Sequence, residues 1–81
     1  MKLPRGVSGG ELVRSLERAF GYAQVHQVGS HIVLQAESPR RHRLAVPDHK
    51  VLRPGTLNGI LRAVAQAQGI SKAQVLRRLF G

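Results

Sequence analysis

The spacing of apolar residues changes twice along this chain, from helical to alternating and back, and that change limits the fold more than any other feature. Leu12, Val13, Leu16, Ala19 and Phe20 recur three and four residues apart, the period that lays one stripe along an α-helix. Ahead of them, Ser8-Gly9-Gly10-Glu11 has the spacing of a capping box, in which the hydroxyl accepts a first-turn amide and the carboxylate reaches back. Gly21 supplies a left-handed residue to close the helix. From Tyr22 to Val46 the period is two, which predicts strands over Tyr22–Val28, His31–Ala36 and Arg41–Val46. Gly29-Ser30 forms the first turn between them and Glu37-Ser38-Pro39-Arg40 the second.

Polarity selects the register of this sheet. A five-residue second loop sets Leu34 opposite Leu44 and Ile32 opposite Val46, whereas a four-residue loop would mix apolar and polar side chains on both faces. The apolar face then carries Ala23, Val25, Ile32, Leu34, Ala36, Leu44 and Val46, and the wet face carries Gln24, His26, His31, Gln35, Arg41 and Arg43. Pro47 ends the third strand and Asp48-His49-Lys50 begins a connector. After Pro54-Gly55, Thr56 is the expected cap of a second helix with Leu57, Ile60, Leu61, Val64 and Ala65 as its stripe, closed by Gly69. Ser71-Lys72-Ala73-Gln74 is a second capping box, opening a short helix that buries Val75, Leu76, Leu79 and Phe80. The expected fold is one α+β domain over residues 1–81, in the order α-β-β-β-α-α, with a three-stranded antiparallel sheet and its helices on one face. Glycines 9, 10 and 55 are expected as cap and turn residues.

A chain of this size buries only about 60–65% of its unfolded surface, so its core is modest. Without cysteine, that core rests on aliphatic packing alone. Thirteen Lys and Arg against four acids give a formal net charge of +9. Such self-repulsion favours a partner that supplies negative charge: nucleic acid, an anionic membrane or an acidic protein. No apolar run is long enough to span a bilayer, and Met1–Arg5 lacks the apolar segment of a secretory signal, so cytoplasm is the expected compartment.

Four acids are too few for a two-metal nuclease, and His26, His31, His42 and His49 match no helical or hairpin zinc spacing, so neither metal nor cofactor is expected. Imidazole remains, and it takes and returns protons near neutrality. RNA carries its own nucleophile, the 2′-hydroxyl. A histidine that removes its proton beside cations that stabilise the charged phosphorus is a sufficient site, with acid–base catalysis worth ~10²–10⁴-fold. His31 is the best placed, on the wet face directly after a Gly-Ser turn; an exposed strand histidine without a role is the competing reading. His26 reads as a solvated or RNA-contacting residue and His42 as a partly buried core residue. His49 either assists His31 or caps structure. Arg40-Arg41-His42-Arg43, with Lys50 and Arg53, is the expected phosphate-contacting set.

The residues Lys2-Leu3-Pro4-Arg5, Ser8-Gly9-Gly10-Glu11-Leu12, Phe20-Gly21-Tyr22, Gly29-Ser30-His31, Val46-Pro47-Asp48-His49, Gly55-Thr56-Leu57 and Ile60-Leu61-Arg62 stand in an order and spacing that resembles the HicA toxin family. The resemblance implies a double-stranded-RNA-binding-domain-like fold and a metal-independent endoribonuclease that cleaves mRNA. It implies His31 as the catalytic residue, supported by Gly29 and Ser30, with His49 as a second recurrent histidine. It also implies a HicB-type antitoxin partner, the chain being a monomer when free and part of a hetero-oligomer with the antitoxin. One departure is visible: Ala63 to Gln68 lengthens the second helix by about one turn relative to the family pattern. Gly59 within that helix costs ~1 kcal/mol relative to Ala. A non-catalytic RNA-binding module using the same face, and a domain that binds only an acidic protein, are the alternatives; the first would bind RNA without product and the second would not bind it.

Overall fold

The computed structural model describes residues 3–81, so Lys2 of the Lys2–Arg5 segment lies outside the described residues. The order is α1 (Gly9–Phe20), β1 (Ala23–Val28), β2 (His31–Ala36), β3 (His42–Pro47), α2 (Pro54–Gln68) and α3 (Lys72–Phe80). The strands form one antiparallel sheet in the order β1-β2-β3. This is the expected α+β architecture. Among the described residues no helix is long and apolar enough to cross a membrane.

Local sequence sets most helix ends as expected. The Ser8 hydroxyl accepts the Glu11 amide at 3.0 Å, and Gly21 takes φ 71°. The reciprocal half of that box is not made: the Ser8 end is anchored instead by the Gly9 amide donating to the His49 carbonyl at 2.9 Å. At α3 the box is complete, with Ser71 and Gln74 bonding each other's amides. For α2 the expected Thr56 cap is wrong. The helix starts three residues earlier than that cap implies, with Arg53 as N-cap and Pro54 in the first turn. Proline's fixed φ and missing N–H suit that position, where no intrahelical donor is needed.

The core lies between the helices and the inner face of β2 and β3. Leu12, Leu16, Leu34, Val46, Leu57, Leu61, Val64 and Val75 are almost wholly enclosed, and shortening such a leucine to alanine costs about 2–5 kcal/mol. Phe80 departs from expectation: it is 38% exposed, because Val75, Leu76 and Leu79 already fill the face that α3 turns inward. Arg78 covers the other aromatic of this region, its guanidinium 4.6 Å from the centre of the Phe20 ring.

The β2–β3 register is the expected one, Ile32 opposite Val46 and Leu34 opposite Leu44, with Glu37–Arg41 as the five-residue loop. The Asp48 amide donates to the Ser30 carbonyl at 2.6 Å, which makes that pair hydrogen-bonded. Antiparallel pairs alternate, so His31 and Pro47 form a non-bonded pair. Pro47 therefore extends β3 by one residue without losing a ladder bond, rather than stopping short of it.

β1 departs from strict alternation. Gln24 faces Leu34 and His26 faces Val33, so Val25 is the extra residue of a bulge. The bulge reverses the faces of the residues before it: Ala23 shares the outer face with Gln35, and Gln24 sits on the helix side with Leu34. The expectation for Ala23, Gln24 and Val25 was thus wrong, while that for His26 and His31 was right. All six residues of β1 are exposed, because the helices pack on β2 and β3 and leave β1 overhanging.

Candidate active site at the β1–β2 hairpin

His31 is exposed and opens β2 at the tip of the sheet, on the face away from the helices. Its register partners Val28 and Pro47 share that face, as do His26, Val33 and Ala45. Two residues make the turn before it. Gly29 has φ 58° and Ser30 does not have positive φ, the pattern of a type II′ hairpin turn. A Cβ on Gly29 would meet nothing within 4 Å, so glycine is needed there for its backbone angle and not for room. The Gln27 side-chain Nε2 donates to the Gly29 carbonyl at 3.0 Å and braces the turn.

Three backbone bonds fix the connector after β3, one to this hairpin and two to the segment that opens α1. The Asp48 amide reaches Ser30, the Gly9 amide reaches His49 at 2.9 Å, and the Leu52 amide reaches the Val7 carbonyl at 2.8 Å. The connector from β3 to α2 is thereby held between the hairpin and the start of α1. It carries His49 and Lys50, both exposed, to the end of the sheet occupied by His31, and Arg53 follows at the start of α2. Gly9 makes this closure possible and was misjudged from sequence as a cap glycine. A Cβ there would lie 1.9 Å from the Pro47 carbonyl oxygen, whereas one on Gly10 meets its nearest atom at 3.6 Å. Backbone packs on backbone at Gly9, and the only sequence signal for it is a glycine directly after the Ser8 cap.

The arginine cluster is elsewhere. Gln35 follows His31 by four strand residues, so it stands about 13 Å away along β2. At that far end Arg43 Nε donates to Gln35 Oε1 at 2.7 Å, Gln35 Nε2 to Glu37 Oε2 at 2.6 Å, and Arg41 Nε to Glu37 Oε1 at 2.9 Å. The hydrogen bond from Gln35 and the neighbouring Arg41 guanidinium hold the Glu37 carboxyl below the usual glutamate range. Arg40, Arg41 and Arg43 are thus separate from the histidine, although Arg43 shares its face. His42 has the partly buried place expected of it: its Nδ1–H donates to the Arg40 carbonyl at 2.7 Å and its Nε2 accepts the Tyr22 hydroxyl at 2.6 Å. Tyr22 is 3% exposed, and burial raises its phenol pKa, with a side-chain hydrogen bond from Gln68 opposing the shift.

The structure thus joins His31, Gly29, Ser30, His49 and Lys50 at one end of the sheet, with His26 on the same face and Arg53 just beyond. No side chain among the described residues holds the ring of His31, which leaves both imidazole nitrogens open to a substrate. Among the described residues no three His, Asp or Glu side chains converge as a metal-binding group. A family model described as HicA toxin of bacterial toxin-antitoxin matches residues 9–65, a span running from the first residue of α1 through the hairpin and connector into α2. No curated protein and no solved structure matches the chain significantly.

Proposed function

The chain belongs to the HicA toxin family of bacterial toxin–antitoxin systems, and from that premise we propose that it is a metal-independent endoribonuclease that cleaves mRNA with His31 as general base. The observation that carries this reading is the exposed His31 imidazole on an uncovered sheet face, at a hairpin to which the backbone ties Asp48, with His49 and Lys50 directly following it. In the proposed step His31 takes the proton of a ribose 2′-hydroxyl. The O2′–P bond forms, the P–O5′ bond breaks, and the leaving 5′-oxygen is protonated by His49 or by water. Lys50 and Arg53 supply cations for the phosphate, and His26 contacts the strand along the same face. Gly29 and Ser30 position His31 through the turn. Arg40, Arg41 and Arg43 are too distant to stabilise charge at the reacting phosphorus; their part toward RNA is long-range attraction.

The family places an antitoxin beside this toxin. We propose a HicB-type protein that covers the His31 face, with the free toxin a cytoplasmic monomer and the complex a hetero-oligomer. The test is to express wild type and His31→Ala in parallel and follow growth and mRNA integrity. His31→Ala should abolish growth arrest and slow cleavage of purified RNA by about 10²–10⁴-fold, with an unchanged unfolding temperature. A folded His31→Ala protein that still cleaves at the wild-type rate, or a wild type that binds RNA and yields no product, refutes the proposal.

A further inference from the structure

A groove lies at the opposite end of the sheet from His31. It has a volume of about 420 Å³ and runs between β3 and the last turns of α2. Arg40, Arg41 and Arg43 rim it, and Leu44, Ala63 and Ala67 supply its apolar wall. Ala63 and Ala67 stand four residues apart on one helical face, and their small side chains leave the space open. Ala63 lies within the matched span of the family model and Ala67 beyond it. The groove stands apart from the hairpin that carries His31.

β3 is an edge strand, and its outer backbone adjoins this groove. Since Ser30 and Asp48 form a hydrogen-bonded pair, the alternation along β3 makes Arg43 and Ala45 non-bonded positions toward β2. Their N–H and C=O groups point outward. Among the described backbone bonds outside the regular elements, none uses those amides. An exposed edge beside a pocket is the geometry that accepts an added strand, with main-chain bonds for affinity and pockets for alternate side chains. Charge then selects the occupant. The arginines repel a second copy of this +9 chain, which guards the edge against self-pairing, and they attract a strand that carries carboxylates. RNA fits less well: the one aromatic ring in the lining, His42, is half-buried with both nitrogens bonded to Tyr22 and Arg40, and an unpaired strand edge offers its main-chain bonds to another strand.

We propose that this groove is a docking site for an extended acidic segment of a partner protein, added to the β3 edge with apolar side chains directed at Leu44, Ala63 and Ala67. Occupancy leaves the His31 face open, so docking and cleavage are separable. The experiment uses the full-length His31→Ala protein, isotope-labelled, and an eight-residue peptide of alternating glutamate and valine as the probe. Amide shifts are expected over Arg41–Ala45 and Ala63–Ala67, with Gly29 and Ser30 of the hairpin unmoved. Methylating alternate peptide nitrogens, replacing glutamate by lysine in the probe, or introducing Arg43→Glu should each weaken binding at least about tenfold. Ala63→Leu, a change at an exposed helical position that cannot prevent folding, should also block the groove. No shift, shifts confined to the hairpin, or a short RNA that displaces the peptide from Arg41–Ala45 would each overturn the proposal. Loss of His31-dependent cleavage elsewhere would not touch it, because binding is read in a protein that lacks that histidine.

Discussion

Gly9→Ala is the substitution whose effect the structure determines most directly. Both Gly9 and Gly10 lie in the first turn of α1, so helix propensity alone would reward alanine at either. That reward is about 0.4–1 kcal/mol. At Gly10 the new methyl makes an ordinary contact, 3.6 Å from an Arg14 guanidinium nitrogen. At Gly9 it would sit 1.9 Å from the Pro47 carbonyl oxygen, 2.9 Å from its carbon and 3.1 Å from the Asp48 Cα. These are backbone atoms held by the sheet and cannot rotate aside, so α1 and the connector must separate. Overpacking of this kind costs about 1–3 kcal/mol, and the displaced Gly9–His49 bond adds to it. Each kcal/mol moves the unfolding temperature by about 4–8 °C in a domain of this size. In a His31→Ala background that permits expression, circular dichroism should show Gly9→Ala melting about 4–24 °C below the parent and Gly10→Ala at or above it. In the active background, Gly9→Ala should also lose cleavage at temperatures where it remains folded, because Pro47 and His49 move with the connector. Equal melting temperatures for the two variants would refute the close approach and the coupling inferred from it.

Three further outcomes follow from single contacts. Tyr22→Phe leaves His42 Nε2 without its hydroxyl donor in a part-buried site, which should cost about 1–3 kcal/mol by denaturant unfolding. Tyr22 is the only tyrosine, so ultraviolet absorbance reads its ionisation directly, and it should titrate above the ordinary phenol value of 10.0. Since the folded form then holds its proton more tightly than the unfolded one, stability should fall as pH rises past that value; titration at or below it contradicts the burial seen here. Ser71→Ala removes the acceptor for the Gln74 amide at 3.1 Å, and should lower stability by about 0.5–2 kcal/mol.

The elements and the central register were legible because burying one face of β2 and β3 leaves a single consistent pairing. Ile32, Leu34 and Ala36 against His42, Leu44 and Val46 admit no slip without exposing the aliphatic set. That constraint is absent at β1, where both faces are exposed, and there the reading failed: nothing in Ala23-Gln24-Val25-His26 announces a bulge. The start of α2 was missed because Thr56 is a favoured cap residue, while the proline two places earlier prevailed by fixing φ. His31 was legible from its place after Gly29-Ser30 in the alternating run. The separation of Arg40, Arg41 and Arg43 from it was not, since adjacency on one face says nothing about distance along the strand. Gly9 was invisible for a similar reason, as its partner Pro47 lies far away in sequence.

The family match ends within α2, yet α3 is integral to the site that the match covers. Val75, Leu76 and Leu79 are buried at 3% exposure or less, and α3 packs on both α1 and α2. Arg18 of α1 donates to the Leu79 carbonyl at 3.3 Å, and Arg78 of α3 donates to the Ala19 carbonyl at 3.4 Å while covering Phe20. These contacts fix the C-terminal end of α1, and its N-terminal end carries Gly9, whose amide ties the connector to α1 at His49, next to the Asp48 that bonds the hairpin. A rigid helix transmits orientation from one end to the other, so the geometry around His31 depends on a segment without a counterpart in the matched span. Loosening α3 should therefore disturb cleavage through α1 before it disturbs the sheet, because β1, β2 and their turn make no comparable contact with α3.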